Sequence, residues 1–303
     1  SSHEQSALYE LSPNNAIRLE LGISDASDSD SDNRYTRASI LLADWVKEGI
    51  LIRDDTPTIY AIRETFVHEG IQKIRMSLFA RVRLEEFSRG IVLPHEETSS
   101  GPKKDRLGLI KETNANLSPI MGIYRDNTGE INNLLSQTMY QTPTDSANYN
   151  QGTLELWAIE DTKINEQITN SLKHSSIYLA DGHHRYETSL AYLKYQNTLS
   201  PLNESDPCHF ILMCLIEIED SGLIVLPYHR IMRHLSDARF DTMMNLIRTN
   251  FEVREFDLSD IPHPVQKIQI EQEQDQSCLG LIANQTNTLY ILNRNNDAES
   301  HIS

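Results

Sequence analysis

Ser176-Ile-Tyr-Leu-Ala-Asp-Gly-His-His-Arg-Tyr-Glu-Thr-Ser-Leu190 reads as a strand, a tight polar turn and the start of a helix. The apolar run before Asp181 suits an extended segment, and Tyr186, Leu190 and Leu193 then recur at helical spacing. Gly182 lets the backbone come close to a ligand, and the open helix start presents unpaired N–H groups. Arg185 adds a planar fork that fits a phosphate or carboxylate.

Outward from this stretch, strands and helices alternate without regular βαβ order. Ala38, Leu41, Leu42, Trp45 and Val46 mark a helix that Gly49 stops. Thr58–Phe66 is rich in strand formers, and Ile74, Met76, Leu78, Ala80, Val82 and Leu84 alternate without a break. The other face of that strand carries Arg75, Arg81 and Arg83, a solvated face with edge charges. Residues 94–108 read as a long polar loop, 107–116 as a helix and Pro119–Tyr124 as a strand. Residues 157–161 suit a strand and 162–172 a helix.

Phe210–Ile218, apolar on both faces, reads as a central strand. Asp220-Ser-Gly222 is expected to turn it into a hairpin with Leu223–Leu226. Phe240, Met243, Leu246 and Ile247 mark a helix, and Leu279–Ala283 with Thr288–Leu292 a last hairpin. The fold expected is α+β, with mixed or antiparallel sheets and packed helices in two lobes. Their boundary is placed in the polar, turn-rich residues 141–152, giving lobes 1–150 and 151–303.

The 303 residues carry 27 basic and 44 acidic side chains, a net charge of −17. Such a balance argues against nonspecific binding to nucleic acid or to an anionic membrane. No apolar run is long enough to span a bilayer. Cys208, Cys214 and Cys278 are odd in number and lack Cys-x-x-Cys spacing, as expected of reduced thiols in a cytoplasmic protein. Residues 24–34 are acidic and of low complexity, and they lack the glycine and closing glutamate of a calcium loop.

Two segments concentrate chemistry. At Asp181-Gly182-His183-His184-Arg185 a histidine and Arg185 could hold an anion, while Asp181 is a base, a metal ligand or a helix cap. At Pro94-His95-Glu96-Glu97-Thr98 a histidine beside carboxylates offers acids, bases or metal ligands, without the zinc-hydrolase spacing. The two segments are expected to approach one another. Lys103, Lys104 and Arg106, the small polar run Asn114–Ser118, and the pair His229-Arg230 are further candidates. Walker, Rossmann, nucleophile-elbow and protein-kinase signatures are absent from the sequence.

Several segments together resemble a bacterial and archaeal family known as domain of unknown function 1015. They are Ser12-Pro-Asn-Asn-Ala-Ile-Arg-Leu19, Pro94–Thr98, Lys104-Asp-Arg-Leu107, Asn114-Ala-Asn-Leu-Ser-Pro-Ile120, Ala180–Thr188 and Pro227-Tyr-His-Arg230. Members of that family begin earlier and end with a segment containing Met-Pro-Pro-Lys-Ser-Thr, so the chain reads as a fragment. The 181–185 loop also resembles the phosphate loop of the ParB/sulfiredoxin superfamily, which includes free-serine kinases. That resemblance implies phosphate contacts from Gly182, His184 and Arg185, with Asp181 as metal ligand or base.

The function expected is a nucleotide-dependent phosphotransferase acting on a small metabolite, with Mg²⁺ and ATP or ADP. Asp181, His183, His184 and Glu96 are the expected catalytic groups, and Asp181 and Glu96 the metal ligands. His95, Glu97, Thr98, Arg106, Asn116, His229 and Arg230 would support them. The alternatives are a nonenzymatic sensor of a nucleotide or phosphometabolite, and a metal-dependent hydrolase using His95, Glu96, His183 and His184. The ligand expected is a small phosphate-containing molecule, with neither nucleic acid nor membrane as partner.

Overall fold

The computed structural model describes residues 2–96, 98, 100–149, 152–173, 175–226, 229–275 and 277–295. Short helices α1 (Ser2–Leu11) and α2 (Ile17–Glu20) precede α3 (Arg34–Lys47). Asn33 starts α3 with a capping box: its side chain accepts from Tyr35 and Thr36 N–H, and Thr36 answers to its backbone. The acidic stretch before it ties to Arg37 through Asp28 and Asp32. Ala38 and Trp45 are buried as the spacing requires, whereas Val46 is exposed.

Strands β1 (Ile59–His68) and β2 (Ile71–Arg83) form one long hairpin. Its two-residue turn, Glu69-Gly70, has both φ angles positive, which matches the twist of the flanking strands. On one face Leu78 and Leu84 enter the core. On the other, Arg75 pairs with Glu64, and Arg81 and Arg83 lie over the Phe210 ring.

The short strand β3 (Val92–Leu93) leads through residues 94–98 into α4 (Ser100–Thr113). The long polar loop expected at 94–108 is thus mostly helix. Gly101-Pro102 misled the reading, because a proline in the first helical turn gives up an N–H that has no partner there anyway. Strand β4 (Ile120–Tyr124), helix α5 (Glu130–Met139), and strands β5 (Asp145–Tyr149) and β6 (Gly152–Ile159) follow. Asp161 caps α6 (Thr162–Leu172) by accepting from Lys163 and Ile164 N–H. Then come β7 (Ile177–Asp181), α7 (His183–Leu199) and β8 (Phe210–Glu217).

These strands make one eight-stranded mixed sheet in the order β3-β7-β4-β8-β2-β1-β6-β5. β3 runs parallel to β7 and β4 parallel to β8; the other pairs are antiparallel. The central strand β8 buries Ile211, Met213, Leu215 and Ile216, in keeping with its unbroken apolar run. No strand forms at 223–225. Instead the Asp220 carboxylate accepts from Met76 N–H, 3.0 Å, and from Gly222 N–H, 2.8 Å, so a side chain takes the place of a ladder.

Contacts divide the chain at Val225/Leu226, and residues 1–225 form the first unit. The boundary expected at 150 lies inside this unit. Its turn-rich sequence joins β5 to β6, which pair in the large sheet, and does not separate lobes.

The second unit contains α8 (Asp237–Asn250), β9 (Phe251–Asp257), α9 (Pro264–Gln274), β10 (Leu279–Ala283) and β11 (Thr288–Arg294). Its sheet has the order β10-β11-β9, all antiparallel. Phe240, Met244, Tyr290 and Leu292 form one side of its core, and Cys278, Leu289 and Ile291 the other. The architecture is α+β, as the irregular order of elements indicated. Among the described residues no helix is long and apolar enough to cross a membrane.

Candidate functional site

Two strands of the large sheet aim the chemistry. β7 ends at Asp181, Gly182 turns the chain, and α7 begins at His183. Gly182 has φ 92°, a left-handed backbone that other residues resist. A Cβ there would lie 2.5 Å from Ile120 Cγ2. Gly182 at the start of α7 has no side chain to cap the helix.

Tyr186 anchors the helix. Its hydroxyl donates to the Glu85 carbonyl at 2.8 Å and accepts from Glu85 N–H at 2.9 Å, and its ring stacks on Phe87. Burial pushes its phenol up to about 12. This clamp holds the segment that runs through β3 into residues 94–96, and so brings them to α7.

The two polar segments meet as expected. His95 and His183 pack edge to face, ring centres 4.4 Å apart. The Glu96 carboxylate lies 3.4 Å from His183 Nδ1, and one ligand atom from each of these residues falls within 4.8 Å of the others. One turn on, Glu187 accepts from Thr98 at 2.6 Å and Lys103 at 2.7 Å. Burial opposes ionisation of Glu187, but the bonds from Lys103 and Thr98 hold it below the usual carboxylate range. His184 is half-buried and within electrostatic reach of Glu187.

Hydrogen bonding fixes where the protons sit. His95 Nδ1 faces the Leu179 carbonyl at 2.6 Å and must donate, which leaves Nε2 with its lone pair. That is the posture of a base or a metal ligand. His183 is the reverse case. Its Nε2 accepts from the backbone N–H of His95 at 3.2 Å, so its proton lies on Nδ1 and points at Glu96. A cation at Nδ1 would have to displace that proton and release the His95 bond. His183 therefore orients Glu96 when no cation is present.

His183 is 2 % exposed, and its pKa is lowered by burial first and by His95 second, against the pull of Glu96 and Asp181. The folded chain holds it neutral, while the unfolded chain protonates it near pH 6.5. In the window between the depressed value and about 6.5 the unfolded state binds more protons, so stability falls as pH drops. Melting curves between about pH 7.5 and 5.5 (roughly one unit either side of that value) should show a loss of Tm that is smaller in His183→Gln. Parallel curves for the two proteins would remove His183 as the source.

The other side of α7 forms a separate cleft. Glu20, Arg106, Asn116, Ser118, Arg185, Thr188 and Ser189 line it, with Leu109, Ile110, Ala115, Leu117 and Ile211. Arg185 donates to the Pro119 carbonyl at 2.7 Å, to Ser118 Oγ at 2.9 Å and to Asp181 at 2.6 Å. It thereby joins the start of β4, the end of β7 and the first turn of α7. Ser118 in turn donates to Glu20.

Of the expected residues, the structure joins His95, Glu96 and His183, and separately Arg106, Asn116 and Arg185. Thr98 is tied to Glu187. Asp181 pairs with Arg185 and is not in the group that His95, Glu96 and His183 form among the described residues. His229 and Arg230 are exposed in the second unit, ahead of α8. Glu97 lies outside the described residues. Glu187, Thr188 and Ser189 were missed, although helical spacing from His183 and Arg185 places them on the same faces. Glu20 had no local signal: only tertiary packing brings α2 to Ser118.

The chain belongs to the family described as Protein of unknown function (DUF1015), which it matches over residues 1–302. No curated protein and no solved structure matches it. The likeness of the 181–185 loop to ParB/sulfiredoxin phosphate loops gains no support from these comparisons.

Proposed function

We propose that this member of the family binds a small phosphate-bearing molecule at the first turn of α7 and transfers its phosphoryl group to a small metabolite. The observation that carries this reading is the meeting of His95 and Glu96, from a distant segment, with His183 at the uncapped start of α7, whose first turn also carries Arg185 on its other side. A helix N-terminus and a guanidinium neutralise phosphate charge, which is most of what phosphoryl transfer asks of a protein. Three of the five Arg185 donors are engaged, and Nε has no acceptor among the described residues. His95 Nε2 or the Glu96 carboxylate would take the proton of the attacking hydroxyl. A nucleotide with Mg²⁺ is the donor this arrangement suits, with Glu96 and Asp181 as carboxylates beside the turn.

The grouping of His95, Glu96 and His183 favours a second reading, a metal-dependent hydrolase. Imidazole ligands suit zinc or manganese better than magnesium, which prefers oxygen. The proton on His183 Nδ1 stands against it, and binding would have to release that proton.

Thermal melts and ³¹P NMR with ATP or ADP, with and without Mg²⁺, decide among these. Stabilisation by nucleotide together with loss of its terminal phosphoryl signal is the expected result. Stabilisation without turnover indicates a sensor. Stabilisation by Zn²⁺ or Mn²⁺ with no response to nucleotide indicates the hydrolase.

A further inference from the structure

The cleft behind α7 has an under-partnered cation. Arg106 is 27 % exposed at its side chain. Its hydrogen bond to the Glu20 carbonyl is a long one, 3.3 Å. The carboxylates of Glu20 and Asp105 stand 3.8 and 4.0 Å away, beyond hydrogen-bond reach. Asp105 is already held by Arg34 and by Tyr35, and Glu20 by Ser118. A half-buried guanidinium normally finds close oxygen partners, because its desolvation is costly otherwise.

Thr188 is a second, independent signal. It lines the cleft at 3 % exposure, and its buried Oγ1 has no hydrogen-bond partner. Many helical hydroxyls in the chain find an acceptor, and Thr113, Thr138, Thr169, Ser189, Thr242 and Thr249 bond back to the carbonyl four residues earlier. Thr188 does not, and a buried hydroxyl left unpaired is destabilising. A polar group held in the cleft within reach of that hydroxyl would remove the cost.

We propose that this cleft is an oxyanion subsite which takes the carboxylate or phosphate end of a small acid, with Arg106 as the anchoring cation and Arg185, Ser118 and Thr188 around it. In taking that acid as the acceptor substrate, the inference rests on the phosphotransfer reading; the subsite itself does not. A small acid suits the two arginines and the hydroxyls of the cleft; its one carboxylate, Glu20, accepts from Ser118, and its lining holds no aromatic ring for a sugar or base.

Calorimetric titration of the intact chain with inorganic phosphate, acetate and succinate tests it, and the strongest of the three identifies the oxyanion. Binding of at least one probe at millimolar affinity or better is expected. Arg106→Gln should weaken it by about tenfold or more, since a charged hydrogen bond is lost, with an apo Tm close to that of the wild type. Thr188→Val should fold at least as well as the wild type and bind the probe more weakly. No binding of any probe, or wild-type affinity in Arg106→Gln, would overturn the subsite. Should Arg106→Gln fail to fold, unchanged affinity in Thr188→Val overturns it and reduced affinity upholds it. Oxyanion binding without any response to nucleotide would remove the phosphotransfer reading and leave the subsite standing. Nucleotide turnover with no oxyanion binding would do the reverse.

Discussion

Gly182→Ala is expected to lower the melting temperature of the first unit by roughly 10 °C. Two costs add. The left-handed backbone at φ 92° is strained for any residue with a Cβ, by about 1–3 kcal/mol. The new Cβ would also meet Ile120 at 2.5 Å (Cγ2) and 2.8 Å (Cβ), and Ile120 is fully buried, so it cannot swing away. Overpacking of that kind costs a further 1–3 kcal/mol or so. Gly129→Ala provides the control: its φ is 69°, but a Cβ there would meet nothing within 4 Å beyond its own chain neighbours. It should show the backbone cost alone. Equal losses in the two variants would mean that contact with Ile120 does not matter at the turn.

Arg185→Ala carries the second large effect, and it is felt in both fold and ligand. The guanidinium bonds to Pro119, Ser118 and Asp181, and so closes β4 and β7 onto α7. Its loss leaves the Pro119 carbonyl and Ser118 short of a donor, at a cost of about 2–3 kcal/mol, or roughly 5–10 °C. Arg185→Lys keeps the charge but not the fork, and should recover part of the Tm and little of the nucleotide affinity. Asp181→Asn should be nearly neutral for stability, because the Asp181 side chain is 72 % exposed and such pairs contribute little. A wild-type Tm in Arg185→Ala would deny the structural role. Unchanged nucleotide affinity in a folded Arg185→Lys would remove the arginine from the ligand site.

Much of this was legible in the sequence, for reasons that differ by element. The β7–Gly182–α7 junction shows in local order alone, because an apolar strand, a glycine and a helical stripe leave few other arrangements. The approach of His95 to His183 could be expected from the concentration of polar groups in both segments, but not which histidine meets which carboxylate. That is set by the Tyr186–Glu85 clamp, a contact between residues 101 apart. The start of α4 was hidden by turn formers that are also good first-turn residues. The missing strand after Asp220 reflects a carboxylate that replaces a backbone partner, a trade no propensity scale records. Strand β9 and helix α9 escaped notice because their apolar faces are thin: Phe251, Val253 and Phe256 alternate irregularly among charges.

The division near 225 was equally hard to read. Residues 141–152 look more like a linker than the segment at the true division, because hairpin turns and linkers draw on the same small polar residues. The cleft behind α7 depends on α2, whose Glu20 sits 86 residues from Arg106 and 98 from Ser118. Contacts of that span leave no trace in local pattern.

The central claim is that a phosphate-bearing ligand sits on the first turn of α7. Amide hydrogen exchange, followed with saturating Mg·ATP and Mg·ADP and without ligand, tests it most directly. Binding at the helix start should slow exchange at the N–H groups of His183, His184 and Arg185 and of His95 and Glu96, and leave the second unit unchanged. Nucleotide binding with no added protection at His183–Arg185, or no nucleotide binding at all, would contradict the account.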